Sequence, residues 1–368
     1  MLPWKACEIG DHIDDVQTPA LMLDLDAFER NLTKLMGHAK GVRVRPHAKS
    51  HKCPEIARRQ IELGAIGICC QKLSEAAVFA QHGIKDILLT NQVVGAQKLQ
   101  RLAQLAQTIR LGVLVDDLAQ IQALGQAMAG QRHRLDVYIE IEVGAKRCGA
   151  PAQTAGELAQ AIASHRQLNF AGLQCYHGAA QHLRAPDARA GAIANAAQVA
   201  RQAVKAVQAA GFPAPLVTGA GTGTFWYERD SGVYAEVQAG SYALMDRDYA
   251  DNTAGPQDVR FEHALWIKTS VTSVAQDNVV IVDAGLKSLS VDSGMPGVAD
   301  YDAFAYLRAS DEHGVIGCPA NQRPQLGQWL SLIPGHCDPT VNLYDDLIVV
   351  QQNKVVDIWP IAARGANL

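Results

Sequence analysis

The chain has 368 residues, 48% of them hydrophobic and 19% charged, with a formal net charge of −4. That length exceeds one compact core of ordinary size and predicts a large domain plus a second one, while the mild acidity and the lack of long like-charge runs argue against nucleic-acid or membrane-surface partners. No run of about twenty apolar residues occurs, Lys5, Glu8 and Asp11 stand where a signal peptide would be apolar, and the eight cysteines lack a framework spacing, which together predict a cytoplasmic protein with reduced thiols acting on a small molecule.

After a first strand at 21–24, short apolar runs alternate with longer segments of helical period, as expected for βα units around a parallel sheet. The runs lie at 42–45, 66–70, 86–90, 111–115, 137–143, 170–176, 216–218 and 236–239, and eight is the number that closes a (β/α)₈ TIM barrel. Amphipathic, mostly alanine-rich segments at 54–63, 74–81, 96–107, 118–128, 152–164 and 186–210 predict the outer helices. From about residue 261 the texture changes to alternating strands at 266–274, 279–282, 329–333 and 347–350, with little helical pattern. The expected division is a barrel over 24–255 and a mostly β domain made of 1–23 plus 256–368, with the extended N-terminal segment beside a sheet edge.

The corner Arg45-Pro46-His47-Ala48-Lys49-Ser50-His51-Lys52 follows the first barrel strand, and Pro54 opens the next helix. A lysine becomes a nucleophile by losing its proton. Partial burial and the positive neighbours His47, His51 and Lys52 are expected to favour that loss, making Lys49 the candidate for a Schiff base with a carbonyl. The glycine-rich stretch Thr218-Gly219-Ala220-Gly221-Thr222-Gly223 follows the seventh strand and Gly240-Ser241-Tyr242 the eighth, the loops where barrels hold phosphate. An amine and a phosphate cup in one mouth suit a phosphate-bearing aldehyde, for which pyridoxal 5'-phosphate fits both ends. Arg147 after the fifth strand and Tyr176-His177-Gly178 after the sixth point into the same mouth, and His177 and His182 are candidate proton carriers on one loop.

Further on, Pro334-Gly335-His336-Cys337-Asp338-Pro339-Thr340 offers a metal pair. On an extended segment His336 and Asp338 would face one point and Cys337 the other side, and nitrogen plus hard oxygen suits Mn²⁺ or Mg²⁺ and tolerates Zn²⁺, Co²⁺ or Ni²⁺. A local rotation would offer the Cys337 sulfur instead and favour zinc. Asp311-Glu312-His313 is a candidate for a further charged group facing this site.

Thr18-Pro19-Ala20-Leu21-Met22-Leu23-Asp24, the 45–52 corner, the 218–223 loop and His336-Cys337-Asp338-Pro339-Thr340, in that order, resemble the fold-type III pyridoxal-phosphate enzymes of the D-threonine aldolase and D-serine dehydratase family, from about Thr18 to about Gly365. The resemblance implies an alanine-racemase-like barrel with a β-rich C-terminal domain, a homodimer with sites near its interface, and Lys49 joined to the cofactor. It implies Arg147 near the cofactor ring or its phenolic oxygen, Tyr176 close by, His182 in preference to His177 as acid/base, and a divalent metal on His336 and Asp338. The cofactor-binding set is then Lys49, Arg147, Tyr176, Thr218, Gly219, Gly221, Thr222, Gly240, Ser241 and Tyr242. The aldolase branch carries His-x-Asp and the dehydratase branch His-x-Cys, so Asp338 points to retro-aldol cleavage of β-hydroxy-D-amino acids. The alternatives are a D-serine or D-3-hydroxyaspartate dehydratase and a non-catalytic cofactor-binding barrel; the added β domain and the metal pair disfavour the latter.

Overall fold

The computed structural model describes residues 5–213, 215–299 and 301–368. The chain enters through β1 (Ala20–Asp24) and α1 (Leu25–His38), where the Asp24 carboxylate accepts the Ala27 N–H at 3.0 Å and so starts the helix. Eight parallel strands follow: β2 (Arg43–Val44), β3 (Ile68–Cys70), β4 (Asp86–Gln92), β5 (Arg110–Val115), β6 (Leu135–Glu140), β7 (Leu168–Cys175), β8 (Leu216–Gly219) and β9 (Glu236–Val237). Between and after them lie α2 (Pro54–Glu62), α3 (Leu73–Gln81), α4 (Ala96–Leu105), α5 (Leu118–Ala127), α6 (Ala155–Ala163), α7 (Pro186–Ala209), α8 (Phe225–Asp230) and α9 (Arg247–Ala250). The sheet runs β2-β9-β8-β7-β6-β5-β4-β3, and a parallel bridge from His47 to Cys69 joins its two ends, closing the (β/α)₈ barrel. All eight barrel strands and six helices of the sequence pattern are present; α1 and the short α8 and α9 are additional.

The alternation of each strand sorts its residues. Ile87 and Leu89, Leu111 and Val113, Val137 and Ile139 face the helices, while Leu88, Leu114, Tyr138 and Cys69 fill the barrel interior. Below them Arg45 is buried against Glu236 at 3.2 Å and Asp86 at 2.5 Å. Above them the interior turns polar: Gln174 and Gln238 pair at 3.0 and 2.8 Å, and Gln238 and Glu236 both bond the Thr218 hydroxyl. This polar upper layer is the floor of the barrel mouth.

The second sheet comprises β10 (Leu265–Ser273), β11 (Val279–Val282), β12 (Gly297–Val298), β13 (Ala305–Ala309), β14 (Gly314–Gly317), β15 (Trp329–Ile333), β16 (Asp346–Gln351) and β17 (Lys354–Pro360), with α10 (Cys337–Val341) between β15 and β16. Its main path is β13-β14-β11-β10-β1-β16-β17, so the N-terminal strand is central and not at an edge. Both hydrogen-bonding sides of β1 are used: Ala20–Leu23 pair antiparallel with 265–268, and Met22–Asp24 pair parallel with 348–350. No helix among the described residues is long and apolar enough to cross a membrane.

Because Leu23 is fully buried in the cluster that also holds Phe28, Leu265 and Leu347, Leu23→Ala should cost about 2–5 kcal/mol of unfolding free energy. Urea unfolding measures it, and a loss below about 1 kcal/mol would contradict a central role for β1.

Candidate active site

The corner after β2 is shaped by its histidines. His47 caps a 3₁₀ turn at Ala48–Ser50, its Nδ1 accepting the Lys49 N–H at 3.2 Å. An Nδ1 that accepts leaves the proton on Nε2, which lies 2.9 Å from the Thr90 hydroxyl and 3.1 Å from Gln71 Oε1. Burial pushes the His47 imidazole down to about 3. His51 is likewise driven to about 3 by burial; its Nδ1 accepts the Cys53 N–H and its ring stands edge-on to Phe79. The expected cationic neighbours are therefore neutral rings, and Lys52 is paired with the buried Glu75 at 3.3 Å. Burial works against the Lys49 ammonium, but the Asp338 carboxylate in direct contact outweighs it and the net shift is upward, the reverse of the sequence expectation.

Asp338 reaches Lys49 from the second sheet's side of the molecule. The motif around it is not extended: His336 has extended backbone at the N-cap, and Cys337–Val341 is a helical turn with Asp338 inside it. The side chains still converge, with His336 Nε2 3.9 Å from Asp338 Oδ1. The other ring nitrogen, Nδ1, bonds Asp292 at 2.9 Å, an arrangement that fixes an imidazole for metal ligation through Nε2. Burial opposes the Asp338 charge, yet Lys49 and His336 hold its carboxyl below the ordinary value. Cys337 is fully buried beside the pair: its N–H donates to Asp246 at 2.9 Å, its Sγ lies 3.4 Å from Asp338 Oδ1, and burial keeps its thiol protonated.

Lys49 opens into a cavity of about 490 Å³ at the carboxyl ends of the barrel strands. Of the predicted cofactor set it is lined by Lys49, Arg147, Tyr176, Gly221, Thr222, Gly240 and Ser241. His182 lines it too, as do His47, Gln71, Thr90, Gln174, Gln238 and Tyr249, which the motifs did not single out for this cavity. Among the described residues the buried N–H groups of Gly221, Thr222, Gly240 and Ser241 have no protein acceptor, which makes a cup of donors suited to a phosphate. Two close approaches demand glycine here: a Cβ on Gly240 would lie 2.7 Å from the His47 carbonyl oxygen, and one on Gly221 2.5 Å from Gln181 Oε1. Ala220 beside them holds φ at +71°, an uncommon conformation for alanine. Arg147 sits 5.9 Å over the Tyr176 ring and 3.8 Å from Glu140.

Other predicted residues lie elsewhere. Thr218 is committed to Glu236 and Gln238 under the floor, and Gly219 packs against the Cys175 backbone. The Tyr242 hydroxyl accepts from Gln60 behind the cup, while its N–H donates to Thr222. His177 packs its ring under Gly144 and does not line the cavity. Asp311, Glu312 and His313 form an exposed hairpin turn, with Glu312 paired to Lys287 at 2.5 Å; among the described residues none of the three bonds His336 or Asp338. Asp116, Glu140 and Cys148 bring ligand atoms within 4.8 Å of one another, but N–H groups of Gln92, Gln120 and Gly149 already occupy those carboxylates.

The buried neutral His51 generates a pH prediction. Its pKa is about 3 in the folded protein and about 6.5 unfolded. In that window the unfolded chain binds more protons, so stability falls as pH drops. His51→Gln should make the slope between pH 6.5 and pH 4 shallower by up to about 1.4 kcal/mol per pH unit, read from urea unfolding at several pH values; an unchanged slope would contradict a neutral buried ring.

Comparison with known proteins supplies the family and agrees with the fold. Residues 23–248 match the family model "Alanine racemase, N-terminal domain", and residues 264–350 match the "Putative serine dehydratase domain". The chain is 45% identical to a D-threonine aldolase from Arthrobacter sp, covering 97% of this chain and 95% of that one. It is 43% identical to a 3-hydroxy-D-aspartate aldolase from Paracoccus denitrificans (strain Pd 1222), covering 95% and 93%. Its fold matches the crystal structure of a D-threonine aldolase from Filomicrobium marinum with a TM-score of 0.96 at 47% identity, covering 99% and 100%. With nearly the whole length matched at this identity, the chain belongs to the D-threonine aldolase and D-serine dehydratase family of fold-type III pyridoxal-phosphate enzymes.

Proposed function

We propose that the protein is a pyridoxal-phosphate- and divalent-metal-dependent lyase that cleaves the Cα–Cβ bond of β-hydroxy-D-amino acids, converting D-threonine to glycine and acetaldehyde. The observation that carries this reading is the direct contact of Lys49 and Asp338, which brings the barrel's amine and the His336–Asp338 pair to one point. The relatives named as aldolases of D-threonine and 3-hydroxy-D-aspartate support it. Lys49 would hold the cofactor's aldehyde end, and the N–H groups of Gly221, Thr222, Gly240 and Ser241 its phosphate. His336 Nε2 and Asp338 would hold the metal, with Mn²⁺ or Mg²⁺ matched to one imidazole and one carboxylate. When bound, the cofactor supplies the electron sink for the pair released at Cα, and the metal acidifies the β-hydroxyl.

The chain's own groups do the rest. His182, on the cavity wall, would take the β-hydroxyl proton as the C–C bond breaks. Tyr176 and Tyr249 wall the cavity and exclude water from Cα, and Arg147 adds positive charge at its rim. An aspartate at 338, in direct contact with Lys49, supports cleavage over the dehydratase reading. Eight cysteines without a disulfide, seven of them buried, fit a reducing cytoplasm, and family resemblance supports a homodimer.

The test is incubation of the protein, loaded with pyridoxal phosphate and Mn²⁺, with D-threonine, L-threonine, D-serine and D-3-hydroxyaspartate. Expected are glycine and acetaldehyde from D-threonine, no turnover of L-threonine, and loss of activity with EDTA or in Lys49→Ala. His336→Ala should weaken apparent metal affinity about 100-fold or more. Ammonia without aldehyde would overturn cleavage in favour of dehydration.

A further inference from the structure

We propose that Asp248 is the positioning residue for His182, setting its tautomer and tying it to the loop that carries His336. The inference rests on the reading of His182 as the proton carrier. His182 ends a 3₁₀ stretch, Gly178–His182, and its side chain is 47% exposed, so nothing in its own segment fixes the ring. Asp248 comes from α9, on the far side of β8 and β9 in sequence, and its side chain is only 6% exposed. One carboxylate oxygen lies 2.5 Å from His182 Nδ1 and the other 2.5 Å from Arg184 Nη2. A carboxylate only accepts, so Nδ1 carries the proton and Nε2 is left as the base. The Tyr249 ring, 5.6 Å away and tilted by 39°, supports the imidazole from one side.

Asp248 is itself over-determined. Arg184 also reaches the Asp248 carbonyl and bonds Asn252 Oδ1 at 2.9 Å. Burial opposes the Asp248 charge, but the bonds from His182 and Arg184 hold its carboxyl below the ordinary value. The backbone of the same turn is bonded to the metal-motif loop: Arg247 N–H donates to Pro334 at 3.0 Å and Asp248 N–H to Gly335 at 3.1 Å. A single residue thus fixes the ring of His182 by its side chain and is anchored by its amide one residue before His336.

A kinetic double-mutant cycle on the holoenzyme with Mn²⁺ and D-threonine tests this. His182→Gln should lower kcat about 100-fold or more. Asp248→Asn, whose amide can face an N–H to Nδ1 and trap the wrong tautomer, should lower kcat about 10–100-fold. KM and the visible cofactor band should stay at wild-type values in Asp248→Asn, as a purely structural role would not allow, even though loss of the Arg184 ion pair lowers the melting temperature. In the His182→Gln background, Asp248→Asn should change kcat less than about twofold, because its only route to the reaction is already gone. Wild-type kcat for Asp248→Asn beside an inactive His182→Gln would overturn the positioning role alone, as would equal fold losses in both backgrounds. A fully active His182→Gln would overturn the proton-carrier reading itself.

Discussion

The contact between the Lys49 ammonium and the Asp338 carboxylate joins the two halves of the molecule at their chemical centre. Lys49 is presented by a 3₁₀ turn on the barrel, and Asp338 by a helical turn between two strands of the second sheet. The two shift in opposite directions, lysine up and aspartate down, as partners of a half-buried ion pair do. The contact of the two side chains then keeps the amine that would hold a carbonyl beside the carboxylate that would hold a metal. A shift of the β domain against the barrel would separate the two functions, and for this reason the central place of β1 matters: the strand lies in the middle of one sheet and runs directly into α1, which packs its Leu32 and Leu35 in the cluster shared by both parts.

The barrel prepares the other walls. Its interior passes from an ion-paired base at Arg45 and Glu236, through an apolar layer at Leu88, Leu114 and Tyr138, to the glutamines and threonines of the floor. Gln174, Gln238 and Thr218 bond one another, which keeps the floor fixed, and among the described residues the N–H groups of Gly221, Thr222, Gly240 and Ser241 in the cup above have no protein acceptor. His47 serves the same end: it stays neutral, caps the turn of Lys49, and reaches across β3 to Thr90 on β4.

Much of this was legible in the sequence because it depends on local pattern. Strands buried on both faces, separated by amphipathic helices, mark a barrel, and glycines after β8 and β9 mark the places where backbone must approach closely. What was not legible depends on long-range packing. Nothing local tells that the β1 strand pairs on both sides, or that His47 and His51 are buried and neutral where a basic cluster was expected. The spacing of His336 and Asp338 was read as extended, whereas Pro339 sits inside a helical turn, where proline is tolerated near the start. Convergence survived the change because a helical turn also brings the two side chains together. Gln174 and Gln238 could have been found as polar residues at inward positions of apolar strands; Tyr249 and Asp248, on a turn of four residues, carry no periodic signal.

The central claim is that one metal ion and one cofactor meet between the barrel and the β domain. Anomalous diffraction at the manganese edge, on crystals grown with Mn²⁺ and pyridoxal phosphate, tests it most directly. The account predicts a peak bound by His336 Nε2 and the Asp338 carboxylate, with cofactor density continuous with Lys49 Nζ and its phosphate in the 221–222 and 240–241 cup. A peak at Asp116, Glu140 and Cys148 instead, or cofactor density not joined to Lys49, would contradict it.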